Sequence, residues 1–286
     1  MNITFEAIGT TWQIDLYGLN HEKRRRVEEG ILIFLHNFEK IYSRFRDDSL
    51  ITKISQNSGI FQFPEDAGEI FSLYKKLYDL SGGKFTPLIG NLLSDAGYDR
   101  TYSFQEKSLR KVPLWEDSLK YQKGNLHTKK AVLLDFGAIG KGYAMDRIGE
   151  ILDDHDTTYY IIDAGGDLLI KQPKNASIGL ENPLNSKEVI GVARISEGSI
   201  CASSGSRRKW GKYHHIMDPI KKNSVNSILA TWVISDTSTI ADALATCLFL
   251  TSPDNLKNDF IFEYGILYPD FRIEKSKNFP GEFFII

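Results

Sequence analysis

The sequence predicts an α+β fold, and three observations carry that reading. Apolar residues recur at helical spacing in several long segments, and apolar–polar alternation marks others as strands. The two kinds follow one another without the regular strand–helix alternation of a parallel sheet.

Residues 3–17 read as two short strands around Gly9-Thr10-Thr11, with Ile3, Phe5 and Ala7 alternating along the first. A long helix is expected from Glu22 to Tyr42, where Val27, Ile31, Phe34, Leu35 and Phe38 share a face. After the polar loop 43–49, Ser49 is placed to cap a short helix at 50–56. Ile70, Leu73, Leu77 and Leu80 mark a helix over 65–81 that stops at Gly82-Gly83. A short helix at 88–96 and connecting structure with one or two strands over 101–128 follow.

Ala131–Phe136 reads as a buried strand, Gly137–Gly142 as a glycine-rich turn, and Tyr143–Asp153 as a helix. A strand pair, 159–163 and 167–170, is joined by Ala164-Gly165-Gly166. Further strands are expected over 176–200 and at 228–234, flanking a basic loop at 205–213. A helix over 239–250 and a strand-rich tail from 259 to 286 complete the chain.

The 286 residues are 42% hydrophobic and 25% charged, the proportions of an ordinary globular protein. The length permits one large core or two joined lobes, and no repeat or low-complexity linker marks a boundary, so 1–286 is read as a single domain. A formal net charge of −2 gives no overall attraction to nucleic acid or an anionic membrane. Any phosphate site must therefore be local. Cys201 and Cys247, far apart and without a CxxC pair, read as small buried residues. No apolar run approaches the roughly 20 residues that span a bilayer. The N-terminus lacks the secretory order of basic start, apolar run and cleavage site, so the chain as given reads as cytoplasmic, with a trimmed export signal as the alternative.

Four segments carry candidate chemistry. In Asp135-Phe136-Gly137-Ala138-Ile139-Gly140-Lys141-Gly142, backbone N–H groups, a helix N-terminus and one lysine converge in the manner of a phosphate cradle. Its glycines match neither the P-loop nor the GxGxxG spacing, and a purely structural turn is the alternative. Asp242 and Thr246, at i and i+4, put a carboxylate and a hydroxyl on one helix face, either as half of a magnesium site or as a solvated pair. Lys209–Pro219 combines basic and aromatic residues with His214-His215, which a strand would turn to opposite faces. A surface hairpin ending in an Asp-Pro turn is its alternative. Asp163-Ala164-Gly165-Gly166-Asp167 is either a tight turn or a place where a ligand presses on the backbone.

Taken in order, these segments resemble the ApbE family, the FAD:protein FMN transferases. The resemblance rests on Gly9-Thr10-Thr11, Ser81–Pro87, Asp135–Asp146, Asp163–Asp167, His215–Pro219 and Ala241–Thr246, and runs from about residue 5 to residue 250. It implies an α+β fold with FAD in an extended cleft. It further implies Mg²⁺ bound by Asp242, Thr246 and the carbonyl of Ala138, and FAD contacted by Asp135 and Lys141. Lys84, Phe85 and Thr86 would line the cleft, and His215 would lie near the flavin phosphate. His215 and Asp242 are thus the expected catalytic residues. The implied reaction moves FMN from FAD to a threonine of an acceptor protein and releases AMP.

Some positions depart from the family pattern. Ile8 stands where a methionine is common, Phe45 where the aromatic usually carries a hydroxyl, and Thr86 where an aspartate is frequent. Ser203–Arg208 replaces the common Ser-Gly-Asp-Tyr. An FAD pyrophosphatase, with water as acceptor, and a non-catalytic FAD carrier are the alternatives.

Overall fold

The computed structural model describes residues 2–284. Its frame is a nine-stranded sheet in which the first eight strands lie side by side in chain order. Its strands are β1 (Asn2–Ala7), β2 (Thr10–Tyr17), β3 (Tyr159–Ala164), β4 (Asp167–Asn182), β5 (Asn185–Ser204), β6 (Ala230–Ser235), β7 (Glu263–Leu267) and β8 (Ile273–Lys275). The last strand, β9 (Gly281–Phe283), pairs with the far part of β5. All of these pairings are antiparallel. The expected α+β class holds, with most helices inserted between β2 and β3 rather than interleaved with strands.

The helix α1 (His21–Tyr42) begins where Asn20 accepts a hydrogen bond from the Lys23 N–H, and buries Val27, Ile31, Leu35 and Phe38. Ser49 caps α2 (Leu50–Gln56) as expected, accepting from Thr52 N at 3.0 Å. After α3 (Ala67–Leu80), the Gly83 N–H reaches back to the Tyr78 carbonyl at 2.7 Å and closes the helix. A 3₁₀ turn at Pro87–Ile89 leads into α4 (Gly90–Asp95). A single turn, α5 (Trp115–Ser118), precedes two strands that form a small sheet with Gly59–Gln62. Two helices, α6 (Gly140–Asp154) and α7 (Ser238–Cys247), pack against each other. No helix among the described residues is long and apolar enough to cross a membrane.

Ala131–Phe136 is not a sheet strand. It is an extended segment held by single bonds from Val132 N to Ile54 O (3.3 Å) and from Asp135 N to Pro87 O (2.8 Å). Val132, Leu134 and Phe136 are buried, so the alternation is real, but helical elements flank the segment and offer no strand edge. The glycine-rich turn is also shorter than expected. Only residues 137–139 turn, and Gly140 already opens α6. The tail holds three short strands among longer irregular stretches.

One core cluster joins the end of α1 to α2, α3, α7 and the extended segment. A second lies between β1–β3 and the helices α1 and α6. A third covers the β4–β7 part of the sheet, and a fourth gathers Leu92, Leu93, Trp210 and Tyr213.

Candidate functional site

A cavity of about 760 Å³ opens between these clusters. Its wall takes Ile8 to Thr10 from the β1–β2 turn, Ser43 to Arg46 from the end of α1, and Lys84 to Thr86 from the loop after α3. Asp135 to Ala138 and Lys141 enter from the start of α6, and Asp242 and Thr246 from α7. The β3–β4 turn, the end of β5 at Ala202–Ser204, the following residues Arg207 to Trp210 and His215 close the remaining side. Every site residue expected from the sequence lines this one cavity.

The helices α6 and α7 cap each other. Asp242 Oδ2 accepts from Gly142 N at 2.8 Å, in the first turn of α6. In return Asp146 of α6 accepts from Ser238 N at 2.7 Å and Thr239 N at 2.8 Å, in the first turn of α7. Each carboxylate meets the positive end of the other helix. Gly142 makes this possible by close approach, since a Cβ there would fall 2.2 Å from the Ser238 carbonyl oxygen.

Asp242 is 4% exposed, and its Oδ1 lies 3.3 Å from Lys141 Nζ. The same ammonium is paired with buried Asp167, so Lys141 bridges two carboxylates. Thr246 Oγ1 shares a 3.1 Å hydrogen bond with Ser203 Oγ. The carboxylate, hydroxyl and main-chain oxygens in this wall are hard donors, and they suit magnesium, which completes its shell with water and substrate phosphates. Among the described residues no three His, Cys, Asp or Glu side chains gather into a protein-only metal cage.

Asp135 is paired with the buried Arg44, and its Oδ1 accepts from Gly137 N at 2.8 Å. The ring of Phe45 lies parallel to that of Tyr102, with centroids 5.2 Å apart. Tyr98 stacks on Trp210 at 5.3 Å. Phe85 is buried against Tyr74, Thr86 caps the 3₁₀ turn through Leu88 N, and Lys84 Nζ donates to the Leu250 carbonyl at 3.4 Å. Ile8 has φ of 51°, a strained left-handed position for a β-branched residue, and its N–H donates to Glu39 at 2.9 Å. Both cysteines are buried and free, and burial pushes the Cys201 thiol up to about 12.

The two histidines do separate. His214 is buried, with Nε2 on the Val225 carbonyl (3.1 Å) and Nδ1 accepting from Ile216 N (3.3 Å). His215 faces the cavity. Removal from water, with help from the Arg208 charge and His214, lowers its pKa to about 3, so the ring is neutral at pH 7. The folded pKa lies below the ordinary 6.5, so His215 contributes stability that is present above pH 6.5 and is lost as pH falls toward 3. We expect the melting temperature to drop between pH 7 and pH 5, and His215→Gln to shrink that drop. An unchanged pH slope in the variant would contradict the burial argument.

The sequence did not single out Arg44, Tyr98, Asp167, Ser203 or Arg208 as individual site residues. Arg44 lies in the polar loop 43–49, Asp167 ends Asp163–Asp167, and Ser203 and Arg208 bound Ser203–Arg208, but Arg44, Asp167 and Ser203 meet their partners Asp135, Lys141 and Thr246 from other parts of the chain.

Fold and site together give an α+β frame around one cavity lined by aromatic rings, charged groups and hard oxygen donors. The chain belongs to the ApbE family, whose model matches residues 8–259. Relatives named FAD:protein FMN transferase include one from Treponema pallidum, 25% identical over 94% of this chain and 85% of the relative. A second, from Haemophilus influenzae, is 24% identical over 89% and 81%. The Escherichia coli K12 protein of that name is 20% identical over 88% and 78%. Among solved structures, the ApbE protein of Thermotoga maritima superposes with a TM-score of 0.82 at 23% identity, over 99% of both chains. The flavin transferase ApbE from Vibrio cholerae gives 0.79 at 19% identity, over 98% and 97%. These structural likenesses establish the fold.

Proposed function

We propose that this chain transfers FMN from FAD to a threonine of an acceptor protein and releases AMP, with Mg²⁺ as cofactor. The observation that carries the reading is one cavity in which the Asp242–Thr246 oxygens and Lys141 share a wall with the aromatic group around Phe45. Residues 1–286 act as one domain in this reading, because the large sheet draws strands from both ends of the chain.

Asp242, Thr246 and the Ala138 carbonyl would hold the metal, which would supply positive charge to the pyrophosphate oxygens and so make the phosphorus easier to attack. Lys141 holds the phosphates from the adjoining wall, and Asp135 and the Lys84–Thr86 loop position the dinucleotide. Ile8 and Phe45 pack on its rings. The acceptor threonine oxygen bonds to the FMN phosphorus as the bond from that phosphorus to the AMP oxygen breaks. His215 is assigned to take up the hydroxyl proton, a role supported by its place in the cavity lining and by an Nδ1 without a hydrogen-bond partner among the described residues.

Lys141→Ala should weaken FAD binding roughly tenfold to a hundredfold, the range of one charge-assisted hydrogen bond. Calorimetric titration reads this directly, and unchanged affinity would leave the lysine as a bridge between carboxylates only. The reading as a whole is tested by incubating the protein with FAD and Mg²⁺, with and without an acceptor domain that carries a modifiable threonine. AMP release together with in-gel flavin fluorescence of the acceptor, both lost with EDTA, is the expected result. AMP and free FMN with an unlabelled acceptor indicate water as acceptor, and bound FAD that never breaks indicates a carrier.

A further inference from the structure

The guanidinium of Arg44 is buried in the cavity wall with one nitrogen unused. Its side chain is 2% exposed. Nε is paired with Asp135, and Nη1 donates to the Tyr98 carbonyl at 2.8 Å. Nη2 is buried without a hydrogen-bond partner among the described residues. A buried donor without a partner is costly, and such groups are rare enough to need a reason. The faces of Phe45 and Tyr98 lie 4.2 and 4.8 Å from the guanidinium carbon, so packing on both rings fixes its orientation.

We propose that Arg44 is a specificity residue whose Nη2 donates to a carbonyl of the flavin's pyrimidine edge. The inference rests on the reading of FAD as substrate and adds the residue that distinguishes flavin from other dinucleotide halves. Two features favour a neutral ring carbonyl over a phosphate. Asp135 already balances the arginine's charge, and the same carboxylate would repel an anion brought to Nη2. The side chains packed around the guanidinium are aromatic, Phe45 with Tyr102 stacked on it and Tyr98 with Trp210 stacked on it, and all four line the cavity. Lys141 bridges Asp167 and Asp242, and a metal held at Asp242 and Thr246 would offset those two carboxylates, which leaves the lysine free for phosphate.

Arg44→Lys tests this, because lysine keeps the charge beside Asp135 but cannot supply the second, fixed donor. Dissociation constants for FAD, riboflavin and ADP are measured on the wild type and the variant, together with the absorption spectrum of bound FAD. FAD and riboflavin should bind about tenfold to a hundredfold more weakly, ADP within about twofold of wild type, and the bound-flavin spectrum should shift. Equal weakening of ADP and FAD would assign the guanidinium to phosphate, and no change for any ligand would leave it structural. Either result overturns the inference while leaving the transferase reading intact. A wild type that binds no flavin overturns both.

If the variant does not fold, the unaltered protein is titrated with riboflavin analogues that carry sulfur in place of either ring carbonyl oxygen. Sulfur is the weaker acceptor, so one of the two should bind about tenfold more weakly than riboflavin. Equal binding of both analogues and riboflavin would refute the contact.

Discussion

Asp242→Ala removes at least about a thousandfold of the AMP-releasing activity, because the only carboxylate proposed for the metal disappears from the cavity wall. The same substitution has a second consequence. Asp242 accepts from Gly142 N at 2.8 Å, so the alanine also uncaps α6 and lowers stability by about 1 kcal/mol. Asp242→Asn separates the two effects. The amide oxygen can accept from Gly142 N, which preserves the cap, while the charge that attracts Mg²⁺ is gone. The asparagine variant should therefore melt near the wild type and still be inactive at ordinary Mg²⁺ concentrations. Rates across a magnesium titration and melting curves for both variants check this. A fully active asparagine variant would reduce Asp242 to a helix cap.

Gly142→Ala should be nearly as damaging, through packing rather than charge. The added Cβ would lie 2.2 Å from the Ser238 carbonyl oxygen and 2.7 Å from Asp242 Cβ. The first of these atoms is backbone, so no side-chain rotation relieves the contact and α6 and α7 must separate. Overpacking of this kind costs about 1–3 kcal/mol. Because Asp242 and Asp146 cap across that same contact, the shift also moves the carboxylate that the proposed metal site needs. Reduced activity with a lowered melting temperature is the expected outcome. Wild-type activity and stability would show that the two helices are not locked together.

These two residues also show what a sequence can and cannot disclose. Asp242 and Thr246 are legible as a pair because the α-helix puts i and i+4 on one face, and nothing distant is needed to see it. Gly142 is legible as important but for the wrong reason. Its place in a glycine-rich run suggests a wide phosphate-binding turn, whereas α6 has already begun at Gly140 and the glycine serves the contact with α7. Ala131–Phe136 fails in the same way. Apolar alternation reports which side chains are buried, and a sheet strand additionally needs an edge to pair with, which α2 and the Pro87–Ile89 turn do not offer.

The long strand β4 was legible only in pieces. Pro173 and the polar residues around it break the pattern, and the chain absorbs them as an irregularity in register between Lys171 and Ala176. Arg44 was the least legible residue of the site. Its aromatic neighbour Phe45 drew attention, but an arginine after a helix looks solvated until Asp135, 91 positions away, is brought beside it. Charge pairs of that range are made by topology, and a single sequence does not print them.

The most direct test of the proposed transferase is the intact mass of an acceptor domain after incubation with this protein, FAD and Mg²⁺, beside an acceptor whose threonine is replaced by valine. The account predicts that the threonine acceptor gains the mass of FMN less water, that AMP appears in equal amount, and that the valine acceptor is unchanged. An unmodified threonine acceptor alongside stoichiometric free FMN and AMP would contradict it.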